Sequence, residues 1–232
     1  MHRPLYAILL DGGYLTKKLH DRLGRNVTAD DVTKECARLQ MIPEVQDYEL
    51  MRIYYYDAEP LADAIARPVS GAPFNLADTA RYKNSQSLLD NLVLKPNIAL
   101  RLGRVALGFH HWRLKAKVAA ALIQAPRALT DDDFDLDVGQ KGVDMRIGMD
   151  MARLALRQTV RAVIVVTGDS DFVPAFKYVR REGVKVILDP MGAGGRRELR
   201  EHADIVLRPA RRPAKKAPTA KPATAAKPKS AA

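Results

Sequence analysis

RAVIVVTGDSDFVPAFKYVRREGVKVILD, residues 161–189, reads as strand, turn, helix, strand. The run 161–167 is short, apolar and β-branched, which suits a strand buried on both faces. Ser170–Glu182 carries helical periodicity, and Gly183 is the residue type that closes a helix in the left-handed conformation. Residues 184–189 are a second solid apolar strand. Two such strands joined by one helix must run parallel. The pattern recurs outward. Residues 5–10, 48–58 and 97–107 read as strands, the last extending toward 109–115, and 204–209 as a short final one. Helices are expected over 14–23, 29–40 with Thr28 as N-cap, 77–92, 142–157 and 196–203. Gly12 and Gly13 provide for a tight turn after the first strand, 59–74 is a Pro- and Gly-containing loop, and 116–140 fits no single period. The expected fold is a three-layer α/β/α sandwich with a mainly parallel sheet.

The chain has 232 residues and 47% hydrophobic content, enough for one sizeable core. Its formal net charge of +11 points to an anionic partner, nucleic acid first. Seven Lys and Arg and no acid lie in PARRPAKKAPTAKPATAAKPKSAA, 209–232, so residues 1–208 carry only +4 (11 − 7). The expected organisation is a folded domain over 1–208 and a disordered basic tail over 209–232, where Lys215 and Lys216 would neutralise phosphates. The single cysteine, Cys36, forbids an intrachain disulfide and suits a reducing compartment, the cytoplasm. The first apolar run is too short for a signal peptide, and none approaches the roughly 20 residues of a membrane span. Oligomeric state is left open, a homodimer included.

The acids fall where parallel sheets bind ligands, beyond the carboxyl ends of strands. Asp11 follows the first strand; Asp169 and Asp171 follow 161–167. Asp144, in KGVD, opens a helix that also carries Asp150. Each has an ordinary reading as well: Asp169 or Ser170 as a helix cap, Asp144 as a dipole partner, Asp11 as a turn residue. Six helical residues rotate by about 600°, which sets Asp150 roughly 120° from Asp144. Both face one point only if the helix entry over 142–144 is irregular. Together, converging carboxylates need a cation, and an all-oxygen set without thiols suits Mg²⁺ or Mn²⁺. Such an ion serves phosphodiester hydrolysis.

These acids sit in AILLDGGYLTKKL (7–19), QKGVDMRIGMDMARLAL (140–156) and RAVIVVTGDSDFVPAFKYVRREGVKVIL (161–188), which resemble, in order and spacing, the NYN family of PIN-like nucleases. The resemblance covers about 3–208, with 60–135 matching only in general layout. It implies a parallel α/β/α sandwich with an acidic Mg²⁺ pocket and, since characterised members are largely ribonucleases, cleavage of single-stranded RNA. Carried over, the catalytic acids are Asp11, Asp144, Asp150, Asp169 and Asp171, with Asp11, Asp144, Asp169 and Asp171 as metal ligands. Many relatives have Asn a few residues after the first Asp. Here the run is DGGYL, with Tyr14 in that region, which keeps open a second reading: an inactive domain that binds RNA or regulates.

Lys141 is a candidate to hold a phosphate or to pair with the acids, against the alternative of a solvated Lys before a helix. MGAGGRREL (191–199) lacks the P-loop GK[ST], but its amides with Arg196 and Arg197 suit RNA phosphates, against the alternative of a simple turn. LTDDDFDLDVGQ (129–140) fails the EF-hand pattern, having Leu136 and Gly142 where Gly and Glu belong, and reads as a mobile acidic loop. His110 and His111 are neighbours on a strand and point apart, and Cys36 is a core residue. DGG after the first strand excludes both the Asp-x-Asp of haloacid-dehalogenase phosphatases and the Gly-x-Gly-x-x-Gly of dinucleotide binding.

Overall fold

A computed structural model describes residues 2–192 and 196–208. In chain order the elements are β1 (Leu5–Asp11), α1 (Gly12–Leu23), α2 (Ala29–Gln40), β2 (Glu49–Glu59), β3 (Ala64–Ala66), β4 (Pro73–Asn75), α3 (Ala80–Leu92), β5 (Ile98–Leu114), α4 (Ala116–Gln124), β6 (Phe134–Lys141), α5 (Val143–Leu156), β7 (Ala162–Val166), α6 (Val173–Arg181), β8 (Lys185–Asp189), α7 (Arg197–Glu201) and β9 (Ile205–Val206). Seven strands form one sheet in the order β6-β5-β2-β1-β7-β8-β9, parallel throughout except for β6. The fold is the mainly parallel α/β/α sandwich expected.

Alternation along β1 divides the core. Tyr6, Ile8 and Leu10 pack with α1, α2 and α3 on one face; Ala7 and Leu9 pack with α5, α6 and α7 on the other. β7 does the same, with Ile164 and Val166 on the first face and Val163 and Val165 on the second, which is why 161–167 reads as unbroken apolar sequence. α2 begins where its capping box places it: Thr28 accepts from the Asp31 amide while Asp31 accepts from the Thr28 amide.

Four local readings are corrected. Gly12 and Gly13 form no separate turn; α1 starts at Gly12 with Asp11 as its cap. The segment 59–74 is not all loop, since β3 pairs with β4 in an antiparallel hairpin. The helix expected over 170–182 is split into a 3-10 turn, Ser170–Phe172, and α6, with Pro174 in the first turn of α6. The supposed mobile acidic loop is largely β6. There Arg113 lies opposite Asp135, and Asp137 approaches Arg113 at 3.9 Å.

β5 pairs with β2 only from Ile98 to Arg104; its remaining ten residues run past the sheet and pair with β6 alone. That ribbon overhangs the carboxyl edge of the sheet, and β6 returns the chain to it at Lys141. Gly142, at φ +75°, makes the corner into α5.

The edge is tightly packed at its centre. A Cβ on Gly12 would lie 2.5 Å from the Tyr56 carbonyl oxygen and 2.8 Å from the Tyr55 ring. Because the first obstacle is sheet backbone, Gly12→Ala should cost about 1–3 kcal/mol in denaturant unfolding. The same change at Gly139, which has open space around it, should cost far less.

Candidate active site

From β1 the chain winds outward through β2 to β5, then returns to β7 on the other side of β1 and winds outward again. α1 leaves β1 onto one face and α6 follows β7 onto the other, so a crevice opens beyond the carboxyl ends of β1 and β7. Asp11 ends β1, and Thr167, Gly168 and Asp169 follow β7 directly.

Thr167 ties the two sides together. Its hydroxyl donates to Asp11 Oδ2 at 2.9 Å and accepts from the Asp169 amide at 3.2 Å. The Tyr14 amide donates to Asp11 Oδ1 at 3.1 Å, and the Asp171 amide to Asp169 Oδ1 at 3.1 Å. Asp169 thus caps the turn Ser170–Phe172 through Oδ1. Asp144, in the first turn of α5, reaches the same place. Burial, then the charges of Asp169 and Asp171, push its carboxyl above the usual range. Asp11 is raised too, by burial first and then by Asp144 and Asp169, against the Tyr14 and Thr167 hydrogen bonds. Among the described residues none of these four acids has an ion pair.

Asp150 stands apart. α5 is helical from Val143, so the rotation separates Asp150 from Asp144, and its Oδ2 accepts from the Tyr56 hydroxyl at 3.0 Å and Arg101 Nε at 3.1 Å. Arg101 also lies over the Tyr54 ring, 5.2 Å from its centroid. The Arg196 guanidinium donates to Ser170 Oγ at 2.7 Å, between Asp169 and Asp171 in sequence, whereas Arg197 is tied to Glu201 on the surface. Lys141 is exposed beside Gly142. Lys215 and Lys216 lie outside the described residues.

Two further strand ends carry acids that were not singled out. Asp57, near the end of β2, accepts from the Tyr55 hydroxyl, the Ala58 amide and Gln140 Nε2; burial raises its pKa against those bonds. Asp189 ends β8, fully buried and paired with Arg38, which also holds Glu35. The signal available was positional: an acid as the last apolar run ends. Tyr14 closes the crevice on that side. Its hydroxyl donates to the Pro190 carbonyl at 2.7 Å, its ring fills the place of a Gly168 Cβ, and burial, then Asp189 and Asp11, push its pKa to about 12.

Asp11, Asp144, Asp169 and Asp171 are hard-oxygen groups of the kind that divalent ions take. Among the described residues, however, no three acids, imidazoles or thiols stand close enough to hold one as a ready-made cage.

The family model of the NYN domain matches residues 104–207, in agreement with the resemblance read from the sequence over that stretch. No curated protein matches the chain. A solved structure of a protein of unknown function from Vibrio parahaemolyticus is similar, with a TM-score of 0.47 and 18% identity over 89% of this chain and 93% of that one. Among the described residues no helix is long and apolar enough to cross a membrane.

The two acids of α5 should separate in stability measurements. Asp150→Ala strands the buried Tyr56 hydroxyl and the Arg101 guanidinium and should cost about 1–3 kcal/mol. Asp144→Asn removes a charge from a repelling set and should leave metal-free stability unchanged or raised. Thermal unfolding of both variants without divalent ions checks this.

Proposed function

We propose that the chain is a Mg²⁺- or Mn²⁺-dependent ribonuclease that cuts single-stranded RNA. The observation that carries the reading is the gathering of Asp11, Asp144, Asp169 and Asp171 at one crevice with no ion pair among the described residues. A divalent ion bound there would supply Lewis-acid stabilisation of phosphoryl oxygens and acidify a water. The chain's own residues do the rest. Thr167 and the Tyr14 amide fix Asp11, and the Asp171 amide fixes Asp169. Asp171, exposed at the mouth, is the acid placed to take a proton from the attacking water. Arg196 and Lys141 offer positive charge to the flanking phosphates. Asp150 acts through Tyr56 and Arg101 by holding α5 on the sheet rather than by meeting substrate.

The domain is taken as residues 1–208. The basic stretch 209–232, with Lys215 and Lys216, adds sequence-independent, salt-sensitive attraction for RNA. A buried Cys36, its thiol pushed up to about 12 by burial, is inert and consistent with a reducing, cytoplasmic setting.

A second reading has its own support. Tyr14 lies in the region where many relatives have Asn, and its hydroxyl is engaged with the Pro190 carbonyl. A domain so altered would bind RNA without cutting it.

One experiment decides between the two. With purified protein and a labelled single-stranded RNA, Mn²⁺ or Mg²⁺ should support cleavage that excess EDTA abolishes. Asp169→Asn, which keeps the acceptor for the Asp171 amide, should lower the rate by about a hundredfold or more. The same ions should raise the melting temperature of the wild type and leave that of Asp169→Asn nearly unmoved. RNA binding without turnover would establish the second reading. Turnover equal in Asp169→Asn would overturn the first.

A further inference from the structure

Beside the acids, the overhanging β5–β6 ribbon and the β3–β4 hairpin enclose a half-open cavity of ≈ 380 Å³. Its walls are of two kinds. Trp112 on β5 and Phe74 on β4 meet in a tilted contact, ring centroids 5.4 Å apart, and Tyr82 of α3 and Leu136 of β6 continue the apolar surface. Polar groups gather on the side toward β2, where Asp57 and Gln140 hydrogen-bond at 2.8 Å and the Arg81 charge acts on Asp57.

The Trp112 indole is not part of the buried core. Its Nε1 donates to the Ala66 carbonyl at 2.8 Å, which locks the ribbon to the hairpin while the ring lines the cavity only half-buried. Gln140, in the cavity wall, also lies near Asp11 across Gly13. Gln140, bonded to Asp57 through Nε2, turns Oε1 toward Gly13; a Cβ placed there would lie 3.5 Å from Gln140 Oε1 and 3.7 Å from Asp11 Oδ1. On the other side of Asp57 a second hollow of ≈ 300 Å³ runs along α1, with Lys17, His20, Asn26 and Asn84 in its walls, a polar and basic path suited to a sugar–phosphate chain.

We infer that the cavity is a nucleobase subsite: it receives one unstacked base of a single-stranded nucleic acid whose backbone passes the Asp11–Asp169 crevice. Aromatic and aliphatic walls take the base's flat faces, and the Asp57–Gln140 side offers acceptors and donors to its edge. The hollow along α1 carries the adjoining phosphates. A duplex keeps its bases stacked and paired and has none to insert, so the subsite selects single strands by shape. This rests on the nucleic-acid reading of the crevice but not on cleavage.

Trp112 is the chain's only tryptophan, so its fluorescence reports this cavity alone. Full-length protein is titrated with a short oligouridylate in EDTA, at salt high enough to suppress purely electrostatic attachment. The expected result is saturable quenching by the oligouridylate and little from the same backbone lacking bases. Tyr82→Ala, on the half-exposed face of α3, should weaken the oligouridylate by about tenfold without shifting the thermal unfolding midpoint by more than a surface change does. Equal quenching by the base-free strand, or affinity untouched in a folded Tyr82→Ala protein, would overturn the inference. The outcome is separable from the nuclease reading. Quenching without metal-dependent cleavage leaves the subsite standing and removes the ribonuclease, and cleavage without quenching does the reverse.

Discussion

The pairing of β1 with β7 governs everything else in this molecule. Each strand is fully buried along its middle, so each must present apolar side chains to both faces of the sheet. Parallel neighbours cannot be joined by a tight turn, and the chain must travel away and return. It leaves β1 in one direction, comes back to β7, and departs in the other. The helices that follow the two strands are thereby sent to opposite faces, and nothing in the sheet fills the space between their starts. A crevice at this edge is a consequence of topology before any residue is chosen for it.

Filling that crevice with acids has a structural counterpart in how tightly its rim is drawn. Gly12 is pressed on the Tyr56 carbonyl and Gly168 on the Tyr14 ring. The closeness lets a single hydroxyl, that of Thr167, engage Asp11 while receiving the Asp169 amide. A bulkier residue at either glycine would move one strand end relative to the other and break that bridge. The geometry of the acids therefore depends on two residues without side chains and on one small polar one.

How much of this could be read from the chain depended on how local the determining interaction was. α2 was legible to the residue because Thr28 and Asp31 satisfy each other within one turn. The buried strands were legible because double-sided burial leaves solid apolar runs. β6 was not: Asp135 and Asp137 on an outer strand look like loop until Arg113, on a strand more than twenty positions earlier, is placed opposite. Asp11 and Asp169 were legible because strand ends announce them. The pairing of Asp150 with Arg101 and Tyr56, and of Asp57 with Gln140, joins residues that only the folded sheet brings together. Helical rotation did separate Asp150 from Asp144 in advance, and the regular start of α5 at Val143 is what gives that geometry force.

The distribution of cations among the acids gives the functional reading its physical weight. Asp189 occupies on β8 the place that Asp11 occupies on β1, and the fold supplies it with Arg38, itself steadied by Glu35. Asp150, on the same helix as Asp144, is supplied with Arg101. The chain thus pairs arginines with a strand-end acid, Asp189, and with a helix acid, Asp150. Between these two pairs, Asp11 and Asp144 are left with carboxyls raised by burial and by neighbouring acids. A fold under selection for stability alone would neutralise this set or replace it, since like charges brought together at partial burial oppose folding. That none of the four has an ion pair among the described residues favours a role in which the compensating charge arrives from outside. Arg196 is bound to the Ser170 hydroxyl, between Asp169 and Asp171 in sequence, which sets a positive charge where an entering phosphate would meet it.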